Sequence, residues 1–253
     1  MELKLVYYIL EAAFAICAIM LPIKLIKKNF SGNNRSIFYG AFVYVLFSAV
    51  LFSAVNTVAT VQFKMDEVLL KSEIAYALVN AGILTVCASL GRLIWVKAVI
   101  KNEGEKGDSL LFGMGYSTCF IIFGFVISSV ANIIICVMAL LGKDSAVSSV
   151  FADNISEIAG KDLYAVFLDM LMMVFMAVLE GAVSVVFYRV ILSGDKKYWI
   201  PAAMLLQLLS NAIVRYYPLA RADRIIILLI LSIIAAGLAY ALLFPFKRKK
   251  ETE

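Results

Sequence analysis

The chain has 253 residues, of which 63% are hydrophobic and 16% charged, with a mean hydropathy of +0.95. A soluble domain is roughly 45–50% apolar and about 25% charged, so the composition excludes an ordinary water-soluble globule and implies a multi-pass membrane protein. The formal net charge of +5 comes from bases lying mostly between apolar runs, which is a topological signal and argues against nucleic acid as a partner.

Crossing a hydrocarbon core of ~30 Å takes about 20 helical residues. Seven apolar runs are candidates: 5–26, 37–63, 74–100, 110–141, 163–192, 199–214 and 225–246. The predicted architecture is therefore an all-α polytopic transmembrane bundle of about seven spans, forming a single integral membrane domain over 1–253. The first run contains Glu11 and no small-x-small cleavage site, so it reads as an uncleaved span. The fourth is long enough that a break within it would give eight spans. The sixth is short and carries Pro201 in its first turn, where proline is tolerated. Fifteen of the 23 basic residues fall on one side of this arrangement, including Lys24, Lys27, Lys28, Arg35, Lys106 and the tail bases Lys247 to Lys250. The positive-inside bias then puts the N-terminus outside and the C-terminus in the cytoplasm of a bacterial cell. The connection at 101–109 becomes a short cytoplasmic loop, that at 148–162 an external one, and the tail a stop anchor beside anionic lipid.

Polar residues inside the runs carry the functional information. In the third, Ala77, Ala81, Thr85, Ala88, Ser89 and Arg92 recur at helical spacing, a small-residue face that lets a neighbouring helix approach. Arg92 lies along it, either as an inward-facing charge or as an arginine snorkelling to the headgroups. In the fourth, Gly113, Ser117, Gly124, Ser128 and Asn132 lie on or near one face. The fifth places Asp169 and Glu180 eleven residues apart, nearly the same azimuth at about 16 Å along a helix rising ~1.5 Å per residue. Ser184 follows Glu180 by one turn. A carboxyl in the middle of a span costs about 2.5–3.5 kcal/mol to insert, so Glu180 needs a partner, with Arg92 the available counter-ion, or else a proton. Met170, Met172, Met173 and Met176 form a soft patch beside Asp169, suited to contacting a partner or to filling a core. In the sixth, Gln207 and Asn211 share a face one turn apart, as inter-helix hydrogen-bonding groups or as part of a site.

All four cysteines, Cys17, Cys87, Cys119 and Cys136, lie inside apolar runs without Cys-x-x-Cys spacing, and read as small buried hydrophobes. Histidine is absent, which excludes a histidine-ligated metal centre or a histidine triad. No metal and no other cofactor is expected.

The order of features, a small-residue third span ending in arginine and an aromatic run, a short charged loop, then "GMGY" opening the next span, resembles the YhfC family of bacterial intramembrane metalloproteases, related to the PrsW and CAAX-protease-like groups. "IFYGAFVYVLFSAVL", "LEGAVSVVFYRVI" and "LLQLLSNAIV" resemble the same family's second and C-terminal helices. The resemblance implies a paired glutamate before the arginine, where this chain has Ala88 and Ser89. It implies Gly-x-Gly-His followed by a glutamate four residues on, where this chain has Gly113, Gly115, Tyr116 and Phe120. Two further histidine positions fall at Glu180 and Gln207, and Asn211 is retained. Three functional readings follow. The first is a catalytically degenerate family member, a pseudoenzyme whose polar pocket of Arg92, Tyr116, Glu180, Ser184, Gln207 and Asn211 serves binding or regulation of another membrane protein, with membrane lipid as a second partner. The second is a histidine-free, glutamic-type intramembrane protease with Glu180 as its candidate catalytic residue. The third is a small transporter or permease component, or an immunity protein.

Overall fold

The computed structural model describes residues 1–63, 72–100, 105–141, 158, 160–194, 197–216 and 221–244. The tail beyond 244, residues 101–104 of the connection at 101–109 and most of the connection at 148–162 lie outside the described residues. Among those described there are helices and no strands. Six of the described helices are long and apolar enough to cross a membrane: α1 (Glu2–Asn29), α2 (Arg35–Val61), α3 (Glu73–Ile100), α4 (Lys106–Leu140), α5 (Leu163–Ser193) and α7 (Arg221–Leu243), while α6 (Trp199–Arg215) is apolar but shorter. The fourth run is one continuous helix, so the eight-span alternative does not hold.

Helix α5 is the shaft of the bundle. Of its most apolar stretch 56% is buried, against 11% for α1, and it packs on α4, α6 and α7. Its start is capped by Asp162, whose Oδ1 accepts from the Ala165 amide at 2.7 Å, and it ends at Gly194 in a left-handed conformation with φ of 70°, the usual glycine C-cap. Capping satisfies amides that would otherwise be orphaned at the helix start.

Helices α2 and α4 meet backbone to backbone. A side chain at Gly115 would collide with the Ile37 carbonyl, and one at Gly40 with the Phe112 carbonyl. Close approach of this kind is how helices associate where lipid removes the hydrophobic drive between them. The contact is pinned at the helix start, where Asp108 Oδ2 accepts from the Glu105 amide at 3.0 Å and Oδ1 accepts from the Asn33 amide at 2.6 Å and the Ser36 hydroxyl at 3.1 Å.

One expectation for α4 needs correction. Gly113 and Ser117 do face α5, the Ser117 hydroxyl donating to the Ala177 carbonyl at 2.7 Å, but Gly124 and Ser128 are exposed. A π-helical stretch at Ile122–Val126 intervenes. A wider turn resets the phase of every residue after it, so Ser129, Ile135 and Cys136 take the buried positions instead. Two further π-helical stretches, Tyr44–Leu51 in α2 and Val96–Ile100 in α3, flank the polar centre of the bundle.

Candidate functional site

Arg92 is completely buried, which removes the snorkelling reading. It sits at the meeting point of α3, α4, α5 and α6. Its Nη2 donates to Glu180 Oε2 at 2.6 Å, Nη1 to Gln207 Oε1 at 2.8 Å and Nε to Ser184 Oγ at 2.9 Å. The guanidinium therefore spends each nitrogen on a different partner. Its Cζ lies 4.0 Å from the centre of the Tyr116 ring and 5.7 Å from that of Phe187, so aromatic π-density adds to the attraction.

The acceptors are tied together in turn. Gln207 Nε2 donates to both carboxylate oxygens of Glu180, at 3.0 and 2.7 Å. The Ser184 hydroxyl donates to the Glu180 carbonyl at 2.7 Å, leaving its lone pairs for Arg92. The Ser210 hydroxyl donates to the Gln207 carbonyl at 2.9 Å and fixes the α6 turn that presents the amide. Tyr116 is held by Ser48, their hydroxyls 2.5 Å apart, and by the edge-on ring of Tyr44 at 5.2 Å. A buried ion pair offsets its desolvation only when the remaining donors and acceptors are satisfied. Here each guanidinium nitrogen, both Glu180 carboxylate oxygens and both ends of the Gln207 amide have a partner.

Asn211 differs from the other five. It is buried, yet its Nδ2 has no hydrogen-bond partner. With Tyr44, Ser48, Tyr116, Glu180 and Gln207 it lines a cavity of about 470 Å³ that continues past Phe120, Met172 and Met176 to Arg215. The soft methionine patch thus divides: Met172 and Met176 line the cavity, whereas Met173 is wholly buried in a core cluster. Ser48, Tyr44 and Phe187 had no signal in their own helices, because contact across the bundle selects them.

A second ionic cluster joins α1 to α5. Lys161 Nζ lies 2.8 Å from Asp169 Oδ2 and 3.4 Å from Glu11 Oε2, with Arg221 Nη1 3.8 Å from Asp169 Oδ1. Lys4 Nζ donates to the Lys161 carbonyl. Asp169 and Glu180, although close in azimuth, belong to separate networks.

Fold and site together define a polytopic helical membrane protein with a charged, hydrogen-bonded centre enclosed by its helices. The chain belongs to the YhfC intramembrane metalloprotease family, whose description matches residues 13–234. Neither a curated protein nor a solved structure matches it.

The family description implies a metal ion, and the side chains at the centre do not fit one. The three positions that the family resemblance assigns to histidine carry Tyr116, Glu180 and Gln207, and all three touch Arg92. Glu180 and Gln207 would be the oxygen donors, but both are already engaged by a guanidinium, whose charge repels a divalent cation. Among the described residues no three His, Cys, Asp or Glu side chains cluster as a ligand set. Zinc sites of the hydrolytic kind take three protein ligands and an open position, which this arrangement does not supply.

Proposed function

We propose that this chain is a non-hydrolytic member of its family, which keeps the bundle and uses the polar intramembrane pocket to bind or regulate another membrane protein. The single observation that carries the reading is the seat of Arg92. Its guanidinium fills the point on which Tyr116, Glu180 and Gln207 converge and neutralises the central carboxylate at 2.6 Å. A general base has to accept a proton near neutral pH, whereas the Glu180 carboxylate is held as the partner of the Arg92 cation, with Gln207 bonded to both of its oxygens. The bias of bases toward one side supports a bacterial cytoplasmic membrane location with the N-terminus outside. Reporter fusions at the two termini test that orientation.

One observation favours the glutamic-type alternative: Glu180 borders the 470 Å³ cavity, with Asn211 beside it. Mass spectrometry of membrane-protein N-termini separates the two readings. Cells lacking the protein are complemented with wild type or Glu180→Gln at matched levels. The non-hydrolytic reading expects identical termini in both. A terminus that appears only with wild type contradicts it and makes Glu180 catalytic.

A further inference from the structure

On the other side of α5 from the polar centre, an apolar groove of about 560 Å³ runs between α1 and α7. Its floor is made of small residues where α4 and α5 cross, Gly113, Ala177, Gly181 and Ala182 among them, and Ala236 and Ala239 of α7 continue that surface. One end is closed by Phe30 and Phe244, whose rings are 6.3 Å apart. Lys106 is exposed and stacks its Nζ 4.4 Å from the centre of the Phe244 ring. Lys27 and Lys28, in the last turn of α1, are also exposed at this end.

The dimensions suit one hydrocarbon chain. The lining on α7 runs from Ala236 to Phe244 and that on α5 from Ala177 to Val185, about 12 Å at a rise of ~1.5 Å per residue. Half of a ~30 Å hydrocarbon core is about 15 Å, so the groove spans most of one leaflet. Its basic end stands where headgroups lie, and the acids nearest in sequence, Glu105 and Asp108, are engaged in the capping box that starts α4. In the sequence, four more bases at 247–250 follow Phe244. Clustered bases beside a membrane surface attract anionic lipid, about 1 kcal/mol per residue or roughly five-fold in affinity.

We infer that this groove is a binding site for an anionic phospholipid of the leaflet that faces Lys27, Lys28 and Lys106, with one acyl chain between α1 and α7 and the phosphate at Lys106. The chemistry is complementary at both ends: alanines, glycines and aromatic rings meet the chain, and ammonium groups meet the phosphate.

The test uses purified full-length protein in nanodiscs containing a photo-crosslinkable phosphatidylglycerol or phosphatidylcholine. The expected result is phosphatidylglycerol crosslinked to the groove-lining segments of α5 and α7, at least about five-fold above phosphatidylcholine. Ala236→Trp fills the groove and abolishes the crosslink, Lys106→Glu removes the headgroup preference, and Ile234→Trp, at an exposed position on the same helix outside the groove, changes neither. Equal labelling by the two lipids, labelling spread over the whole apolar surface, or persistence in Ala236→Trp overturns the assignment. So does a protein segment crosslinked in the groove in place of lipid.

Discussion

The two ionic networks show what burial does to the same chemistry. Around Arg92, a charge pair lies inside four helices with relative exposures of 0% and 3%, every guanidinium nitrogen placed and a neutral amide bridging the carboxylate. Around Lys161 the shielding is uneven: the lysine is 14% exposed, Asp169 18% and Arg221 52%, while Glu11 at 6% is buried. Both networks border a cavity, of about 470 and 480 Å³, but the first also has the unpartnered Asn211 amide donor beside it. The second ties the outer helix α1 to the shaft. A site is marked by the charge that the fold shields at full desolvation cost, while a clamp tolerates water.

That comparison can be broken or sharpened by mutation. Glu180→Ala orphans the Arg92 guanidinium and is expected to destabilise the protein by about 3 kcal/mol, at the low end of the range for an unpaired buried charge. A loss of folded protein in detergent thermal melts, well below the wild-type transition, checks it. Arg92→Lys keeps the charge but can neither span Ser184, Gln207 and Glu180 at once nor stack flat on Tyr116. It should cost roughly half as much in the same assay. Lys161→Met removes the partner of the partly wet Asp169, which keeps Arg221, and of the buried Glu11, and a loss of roughly 1 to 1.5 kcal/mol is expected. Raising salt sharpens the contrast further, since exposed charges are screened over a Debye length of ~8 Å at 0.15 M while buried pairs are not. The Lys161→Met penalty should shrink in high salt, and the Glu180→Ala penalty should stay. Equal salt sensitivity in the two variants would erase the distinction. The smallest effect is expected from Ser48→Ala, which frees the Tyr116 hydroxyl at a cost of about 1 kcal/mol.

Much of this was legible in the residues, for definable reasons. Run length and hydropathy locate the seven described apolar helices α1 to α7, because the bilayer fixes how many apolar residues a span requires. Arg92 and Glu180 stand out because charge in mid-span needs a partner, and few candidates exist. Ser184 is placed by a single helical turn. The π-helical stretch in α4 is not legible, because one wider turn leaves no trace in composition, so the sequence does not show that Ser128 is exposed and Ser129 buried. Glu11 appears in the sequence only as an interruption of an apolar run, and Asp169 only as a neighbour of Glu180 in azimuth. Their common partner Lys161 becomes visible only when α1 packs beside α5. Ser48 and Tyr44 are likewise selected by the approach of α2 to α4 through Gly40 and Gly115, a contact that azimuth on one helix cannot reveal.

The central claim is that Arg92 and Glu180 act as one unit whose charges are mutually required. A double-mutant cycle measures it directly, comparing Arg92→Ala, Glu180→Ala and the double variant by equilibrium unfolding in a fixed detergent. The account predicts that the double variant loses less than the two single losses added together, by at least about 1.5 kcal/mol, because removing both charges leaves none unpaired. Strict additivity would contradict it.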